Sequence, residues 1–244
     1  MNSEKEKTNG ISVEQNSFLK RIDNFWFHYK WPVIGIAFAV VVFLVCFIQS
    51  CTKEDEDIII VYAGPYQPVI EDFEVVNNIF DTVLPEDYDG NGEKNVAISR
   101  YQIYSNEQIN KIIAETDESG KHGVFDRNYN TSQYDAYSSY ILQGESSVLL
   151  LDPWLYESLK NNGNGVLMKL DEAFDNLPEN TLGGYGITLG ETSLYNEYAG
   201  MRVLPEDTVV CLLRPLMMGK SRKEENYKIE KEMFAAITGV NVSE

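Results

Sequence analysis

An uncharged apolar run near the start of the chain, residues 31–48, places the strongest constraint on what this sequence can form. Its sequence is WPVIGIAFAVVVFLVCFI. At a helical rise of about 1.5 Å per residue the run spans about 27 Å, close to the roughly 30 Å hydrocarbon thickness of a bilayer. The run predicts one transmembrane helix, to which we assign residues 31–51, so the membrane is an expected partner of the chain.

The charges that flank the run differ in sign. Basic residues at positions 20, 21, 28 and 30 stand among aromatic residues before the run, whereas positions 54–57 are all acidic. Lys and Arg concentrate on the cytoplasmic side of membrane spans. We therefore expect residues 1–30 to form a cytoplasmic tail and juxtamembrane segment, and residues 52–244 to form an extracytoplasmic domain of a single-pass cell-membrane protein.

Two other interpretations of this region stay open. A cleaved signal peptide normally has a shorter leader than the 30 residues found here. The sequence Ile48-Gln49-Ser50-Cys51 resembles a bacterial lipobox except at Gln49, so Cys51 is a candidate for lipidation. Residues 1–17 are polar without apolar periodicity and predict a disordered tail.

The domain that follows the apolar run is strongly acidic. It carries 34 Asp and Glu against 15 Lys and Arg. Nucleic-acid binding needs clustered Lys and Arg to neutralise phosphates, so nucleic acid is excluded as an expected partner. The same charge repels anionic lipid headgroups, which favours a domain that projects from the membrane.

Apolar strands alternate with amphipathic helices along the domain. The predicted strands are residues 58–63, 96–103, 147–151 and 208–213, and the predicted helices are residues 69–84, 105–114, 131–143, 154–160 and 223–238. Continuous apolar strands are typical of a sheet that is buried on both faces. The pattern predicts one α/β domain with a mostly parallel sheet flanked by helices.

Residues 141–174 carry a resemblance to a known family. They run as a helix, a glycine turn, an apolar strand that ends at Asp152, a second helix, another glycine turn and a Leu-Asp segment. This order resembles a strand unit of the extracellular solute-binding proteins of ABC importers, and residues 186–189 are similar to the segment that crosses between their lobes. The resemblance implies one periplasmic-binding-protein-like lobe with a ligand-binding role.

Ligands of parallel α/β sheets bind beyond the carboxyl ends of the strands. The residues that the predicted strands place there are Gly64, Pro65, Tyr66, Tyr104, Asp152, Trp154 and Arg214. They combine aromatic faces with a few polar groups, as small-molecule sites do. The alternative is that they only end strands and cap helices.

A second candidate site is a turn with the spacing of a calcium loop. Asp87, Asp89, Asn91 and Glu93 alternate, and a glycine stands at the sixth position. The twelfth position is Ile98, where a bidentate Glu is needed. The pattern predicts weak calcium binding at most, and an ordinary polar turn is the alternative. We expect no other cofactor.

A cluster of tyrosines marks residues 129–140. Tyr134, Tyr137 and Ile141 share one helical face, which can line an aromatic groove for a ligand or a partner. Aromatic stripes at helical spacing are more often core, so packing on the sheet is the favoured interpretation.

Catalytic constellations are scarce in the sequence. The chain has two histidines, His28 beside the apolar run and His122 in a glycine-flanked loop. We therefore expect a membrane-anchored binding or interaction module for a small molecule or a protein, and no enzyme. The alternatives are an envelope hydrolase, and a structural or regulatory subunit that assembles through the small residues Gly35 and Ala39 of the apolar run.

Overall fold

A computed structural model of the protein describes residues 10–51, 56–115, 123–162, 165–215 and 224–243. The chain divides into two compact units, Met1–Glu54 and Asp55–Glu244. The division falls close to the boundary that the sequence predicts between the membrane segment and the domain.

The first unit contains the long helix α1, Gly10–Cys51. Within it, the 23 residues Phe25–Phe47 have a mean hydropathy of 2.3 and none of them is buried. Helix α1 is therefore long and apolar enough to cross a membrane, and signal sequences share this length and composition. The prediction of a disordered tail is wrong over residues 10–17, where the chain is helical because neither Gly nor Pro interrupts residues 11–31.

The second unit is built on a five-stranded sheet with the strand order β2-β1-β3-β6-β5. The strands are β1 Ile58–Gly64, β2 Val96–Gln102, β3 Val148–Leu151, β5 Gly186–Thr188 and β6 Val209–Leu212. Two further short strands, β4 Phe174–Asp175 and β7 Asn241–Val242, form a separate antiparallel pair. The four strands predicted from the sequence are all present, each within one residue of its predicted bounds at both ends.

The sheet is mostly parallel, as predicted. Strand β1 pairs in parallel with both β2 and β3, whereas β6 is antiparallel to its neighbours β3 and β5. Four strands therefore point one way and β6 points the other way. The expectation that residues 208–213 share the direction of the other strands is wrong, because an apolar strand buried on both faces has the same composition in either direction.

Helices cover both faces of the sheet. They are α2 Ile70–Val83, α3 Asn106–Ala114, α4 Arg127–Gln143, α5 Pro153–Asn162, α6 Ser193–Glu197 and α7 Glu224–Thr238, with three short 3-10 turns at Leu170–Glu172, Leu189–Glu191 and Ala199–Val203. Helices α2 and α7 bury Phe73, Phe80 and Phe234 on one face of the sheet, and α4 and α5 bury Tyr137 and Leu155 on the other. The α/β class predicted from the sequence is thus confirmed.

Capping residues determine where two of these helices begin. The Ser105 side chain accepts from the backbone N–H of Gln108, and the Gln108 side chain accepts in return from the backbone N–H of Ser105. This reciprocal capping box confirms the predicted start of α3. The Asp126 side chain caps α4 by accepting from the N–H groups of residues 128 and 129, so α4 begins earlier than the predicted residue 131.

Strand β5 approaches its neighbours so closely that its first position needs a glycine. A Cβ atom on Gly186 would lie 2.6 Å from Cγ1 of Val209 and 2.9 Å from Cε2 of Tyr156. We expect Gly186→Ala to lower the free energy of unfolding by about 1–3 kcal/mol, the usual cost of overpacking a core. Urea denaturation of the domain at residues 55–244 measures this loss.

The matched control is the double variant Gly186→Ala with Val209→Ala, which removes the closest contact atom. Because the two sites touch, the double variant should lose less stability than the sum of the two single variants. Strictly additive losses would show that the close contact at Gly186 is not the cause.

Candidate functional site

The carboxyl ends of β1, β2 and β3 lie together at one end of the sheet. The pairing continues one residue beyond the strands, since the N–H of Asp152 donates to Ala63 O at 2.8 Å and the N–H of Ile103 donates to Gly64 O at 3.0 Å. Leu151 pairs with Val209 across the antiparallel neighbour. The start of β6, with Asp207 just before it, therefore meets the ends of the three parallel strands.

A cleft of about 420 Å³ opens at this end of the sheet. Its lining comes from the first two turns of α3, from the start of α5 and from the turn before β6. The lining residues are Ser105, Asn106, Glu107, Gln108, Lys111, Asp152, Pro153, Trp154 and Asp207. We refer to this cavity as the carboxyl-end cleft.

Hydrogen bonds fix the polar wall of the carboxyl-end cleft. One carboxylate oxygen of Asp152 accepts from the backbone N–H of Trp154 at 2.9 Å, and the other accepts from Nε2 of Gln108 at 3.2 Å. Gln108 is itself held by the capping box with Ser105. The carboxylate is thus positioned by two helix starts rather than by a mobile loop.

Gly64 allows the end of β1 to approach Asp152. A Cβ atom on Gly64 would lie 3.3 Å from Cβ of Asp152 and 3.5 Å from the hydroxyl oxygen of Tyr62. Burial raises the pKa of Tyr62, and the negative charges of Asp152 and Asp207 raise it further. The Tyr62 hydroxyl therefore stays protonated beneath a negatively charged end of the sheet.

The structure places the sequence-predicted residues at different distances from the cleft. Asp152 and Trp154 line it, and Trp154 is 41% exposed. Tyr66 and Tyr104 do not line it, although both act on the pKa of Tyr62 nearby. The Tyr104 hydroxyl accepts from Nε2 of Gln102 at 2.9 Å.

The prediction that Arg214 belongs to this end of the sheet is wrong. Because β6 is antiparallel, its carboxyl end lies with the amino end of β3, where Leu212 pairs with Val148. There the Arg214 guanidinium forms an ion pair with Glu172 at 2.8 Å and donates from Nε to Leu167 O at 3.2 Å. Arg214 therefore holds the turn at Leu170–Glu172 and is absent from the cleft.

Seven of the nine lining residues escaped the sequence prediction, namely Ser105, Asn106, Glu107, Gln108, Lys111, Pro153 and Asp207. A signal existed for the first five, since a cap directly after β2 places the start of α3 at the carboxyl end of that strand. For Asp207 there was none, because it reaches the cleft only through the reversed direction of β6.

The predicted calcium turn lies at the opposite end of the sheet. Asp87 accepts from the N–H groups of Gly90 and Gly92 at 2.7 and 2.8 Å, and these bonds lower its pKa. Asn91 bonds to Asp89, and the N–H of Glu93 donates to Asn91.

Asp57, which the sequence analysis missed, joins this turn from the residue before β1. It accepts from the backbone N–H groups of Tyr88 and Asp89 at 2.7 and 3.0 Å. Oxygens of Asp57, Asp87 and Asp89 lie within 4.8 Å of one another, a ligand set of the hard type that calcium takes. The same hydrogen bonds are those of an ordinary closed turn, so calcium binding stays a prediction.

If the turn binds calcium, its incomplete ligand set should give a dissociation constant of about 10⁻⁴–10⁻³ M. Calcium at about 100 times that constant would then raise stability by about 2.7 kcal/mol, provided that only the folded state binds. Thermal unfolding with and without calcium measures the effect, with magnesium as the control ion. An unchanged melting temperature, or the same shift in an Asp57→Asn, Asp87→Asn variant, would leave the turn as a plain connection.

The tyrosine cluster packs mainly against the sheet. Tyr137 and Ile141 are buried in the core, and the ring of Tyr101 contacts that of Tyr137 edge-on at 5.9 Å. Tyr134 stays 39% exposed. This arrangement supports the core interpretation over an aromatic groove. The other sequence candidate for chemistry, His122, lies outside the described residues.

No protein-family model matches the chain, and neither a curated protein nor a solved structure shows significant similarity to it. The element order predicted for residues 141–174 is present, with α4 ending at the left-handed Gly144 before β3 and α5. Kinship with solute-binding proteins stays a prediction on that order alone, and function has to be argued from the site.

Proposed function

We propose that this chain is a membrane-anchored, extracytoplasmic module that binds a small ligand in the carboxyl-end cleft. The observation that carries the proposal is the cleft itself. It lies where open α/β sheets bind ligands, beyond the carboxyl ends of parallel strands. Its volume of about 420 Å³ falls within the roughly 300–1,000 Å³ of small-molecule sites, and Asp152 and Trp154 supply a polar and an aromatic wall.

A hydrolase is the weaker alternative for the same cleft. Carboxylates are present, but among its described lining residues there is neither a histidine nor a cysteine. The one hydroxyl nucleophile candidate, Ser105, already accepts from the backbone of Gln108 as a helix cap. General acid–base catalysis would have to rely on the carboxylates of Asp152 and Asp207 alone. Ligand binding, in contrast, can use every residue that lines the cleft.

The anchoring part of the proposal rests on α1. Its apolar span Phe25–Phe47 exposes large aromatic and aliphatic side chains on every side. Exposure of this apolar surface is unfavourable in water and favourable in the hydrocarbon of a bilayer. Basic residues precede the span and acidic residues follow it, as in a chain with its N-terminus in the cytoplasm. A structural subunit that assembles through Gly35 and Ala39 would share this anchor but would not need the cleft.

The topology is tested by protease treatment of intact spheroplasts. We expect digestion to remove an epitope fused to the C-terminus and to spare one fused to the N-terminus, because the membrane shields the cytoplasmic side. Detergent lysis before digestion, which should expose both epitopes, is the control. Protection of the C-terminal epitope in intact spheroplasts would reject the topology.

Mass spectrometry of the same membranes tests how the chain is held. The proposal requires a mature protein that retains residues 1–30. A protein that instead begins at a lipidated Cys51 would keep the domain outside the membrane but replace the helical anchor by acyl chains.

Ligand binding is tested with Trp154, the one tryptophan between residues 55 and 244. We expect a small-molecule screen of that domain to yield a compound that shifts the emission of Trp154 and raises the melting temperature. Asp207→Phe, which places a bulky ring at the cleft, should abolish both effects.

The matched control for this screen is Glu86→Phe. Glu86 is exposed and lies near Tyr88, whose N–H donates to Asp57 just before β1, so it marks the opposite end of the sheet. Binding that Asp207→Phe leaves intact would place the ligand elsewhere. If the screen finds no ligand, the result would favour the alternative of a structural or regulatory subunit.

A further inference from the structure

We infer that the carboxyl-end cleft selects a small organic cation, an alkyl amine that carries one or two protonated amino groups. The inference rests on the proposed function and names its ligand class. It depends on three features of the cleft, which are its excess of carboxylates, the internal hydrogen bonds at its two helix starts and its exposed tryptophan.

Carboxylates outnumber cations in the cleft. Among its described lining residues Lys111 is the one cation, and its ammonium already pairs with Glu107 at 3.4 Å. The charges of Asp152 and Asp207 remain without a cationic partner in the lining, and both lie close enough to raise the pKa of Tyr62. A ligand amino group would supply the missing positive charge.

Helices α3 and α5 begin at the cleft. Because helix starts carry partial positive charge, they reduce the negative charge of the cleft. The macrodipole of a helix is equivalent to roughly half a positive charge at its start. Helices α3 and α5 together thus offset about one of the two carboxylate charges and leave the cleft negative.

One amide donor at each of these helix starts is already used by the protein itself. The N–H of Trp154 donates to Asp152, and the N–H of Gln108 donates to Ser105. An anionic ligand that used these two donors would have to displace a protein acceptor from each of them. It would also approach the carboxylates of Asp152 and Asp207, which disfavours anion binding in this cleft.

Trp154 adds an attraction that a cation can use and a neutral polyol cannot. The residue is 41% exposed, and its backbone N–H donates to the neighbouring Asp152. A cation placed against the indole face gains about 0.5–2 kcal/mol, depending on how far it is desolvated. Aromatic face and carboxylate side by side are the two elements that recognise an alkyl ammonium group.

Three four-carbon compounds that differ in charge separate the ligand classes. They are putrescine with two positive charges, neutral 1,4-butanediol and doubly negative succinate. Isothermal titration of the full chain in neutral detergent micelles should show binding of putrescine only. The binding should weaken as salt is added, because the attraction is between charges.

Single variants place the putrescine site. Asp152→Asn and Asp207→Asn should each weaken binding about tenfold, the effect of losing a hydrogen bond to a charged group. Asparagine also caps helices, so Asp152→Asn keeps the start of α5. Trp154→Leu should weaken binding about threefold, since it removes the aromatic face and keeps an apolar side chain.

Glu86→Gln is the matched control, because it removes the same charge from the opposite end of the sheet and should leave putrescine binding unchanged. An equal loss in this variant would show that the acidic surface as a whole attracts putrescine, which overturns the inference. Binding of butanediol or succinate in the cleft would also overturn it while leaving the proposed function standing. If none of the three compounds binds, the cation inference fails, and the Trp154 screen decides separately whether the cleft binds any ligand.

Discussion

The domain depends on β1, the strand that pairs in parallel on both sides. Its residues from Ile60 to Gly64 are buried, and its backbone bonds to β2 on one edge and β3 on the other. Because parallel strands end at the same side of a sheet, this double pairing brings the chain after β2 and the chain after β3 to the end of β1. The start of α3 and the start of α5 meet there for that reason, and the carboxyl-end cleft lies between them.

The reversed strand β6 determines the charge of that cleft. In a fully parallel sheet the carboxyl end of β6 would have brought the positive charge of Arg214 to the same end of the sheet as Asp152. The antiparallel register brings Asp207 instead and sends Arg214 to Glu172 at the other end. The direction of this one strand thus decides whether the end of the sheet near Asp152 receives a positive or a negative side chain.

Sequence reasoning predicted the strands and most helices because their signals are local. The capping box at Ser105 and the apolar run of β3 are each contained within a few residues, and both are found where they were expected. Strand direction and long-range side-chain bonds have no such local signal. Asp57 bonds to a turn about thirty residues ahead through backbone N–H groups, and Asp207 joins Asp152 in the lining of the cleft through sheet register. The part of the cleft formed by the starts of α3 and α5 was therefore predictable from local capping signals. The part formed by Asp207 depends on the direction of β6 and was not predictable.

The net charge of −18 acts on the cleft as well as on the surface. A protein with a strongly negative field raises the local concentration of cations and speeds their encounter, but this effect decays within about 8–10 Å at physiological salt. It cannot by itself distinguish one cation from another. Selectivity has to come from groups fixed inside the cleft, and there Asp152 is held by Gln108 and by the N–H of Trp154. A ligand that meets this preorganised carboxylate next to an indole face loses little free energy in rearranging the site, so recognition depends on the geometry of α3 and α5 rather than on the bulk charge of the domain.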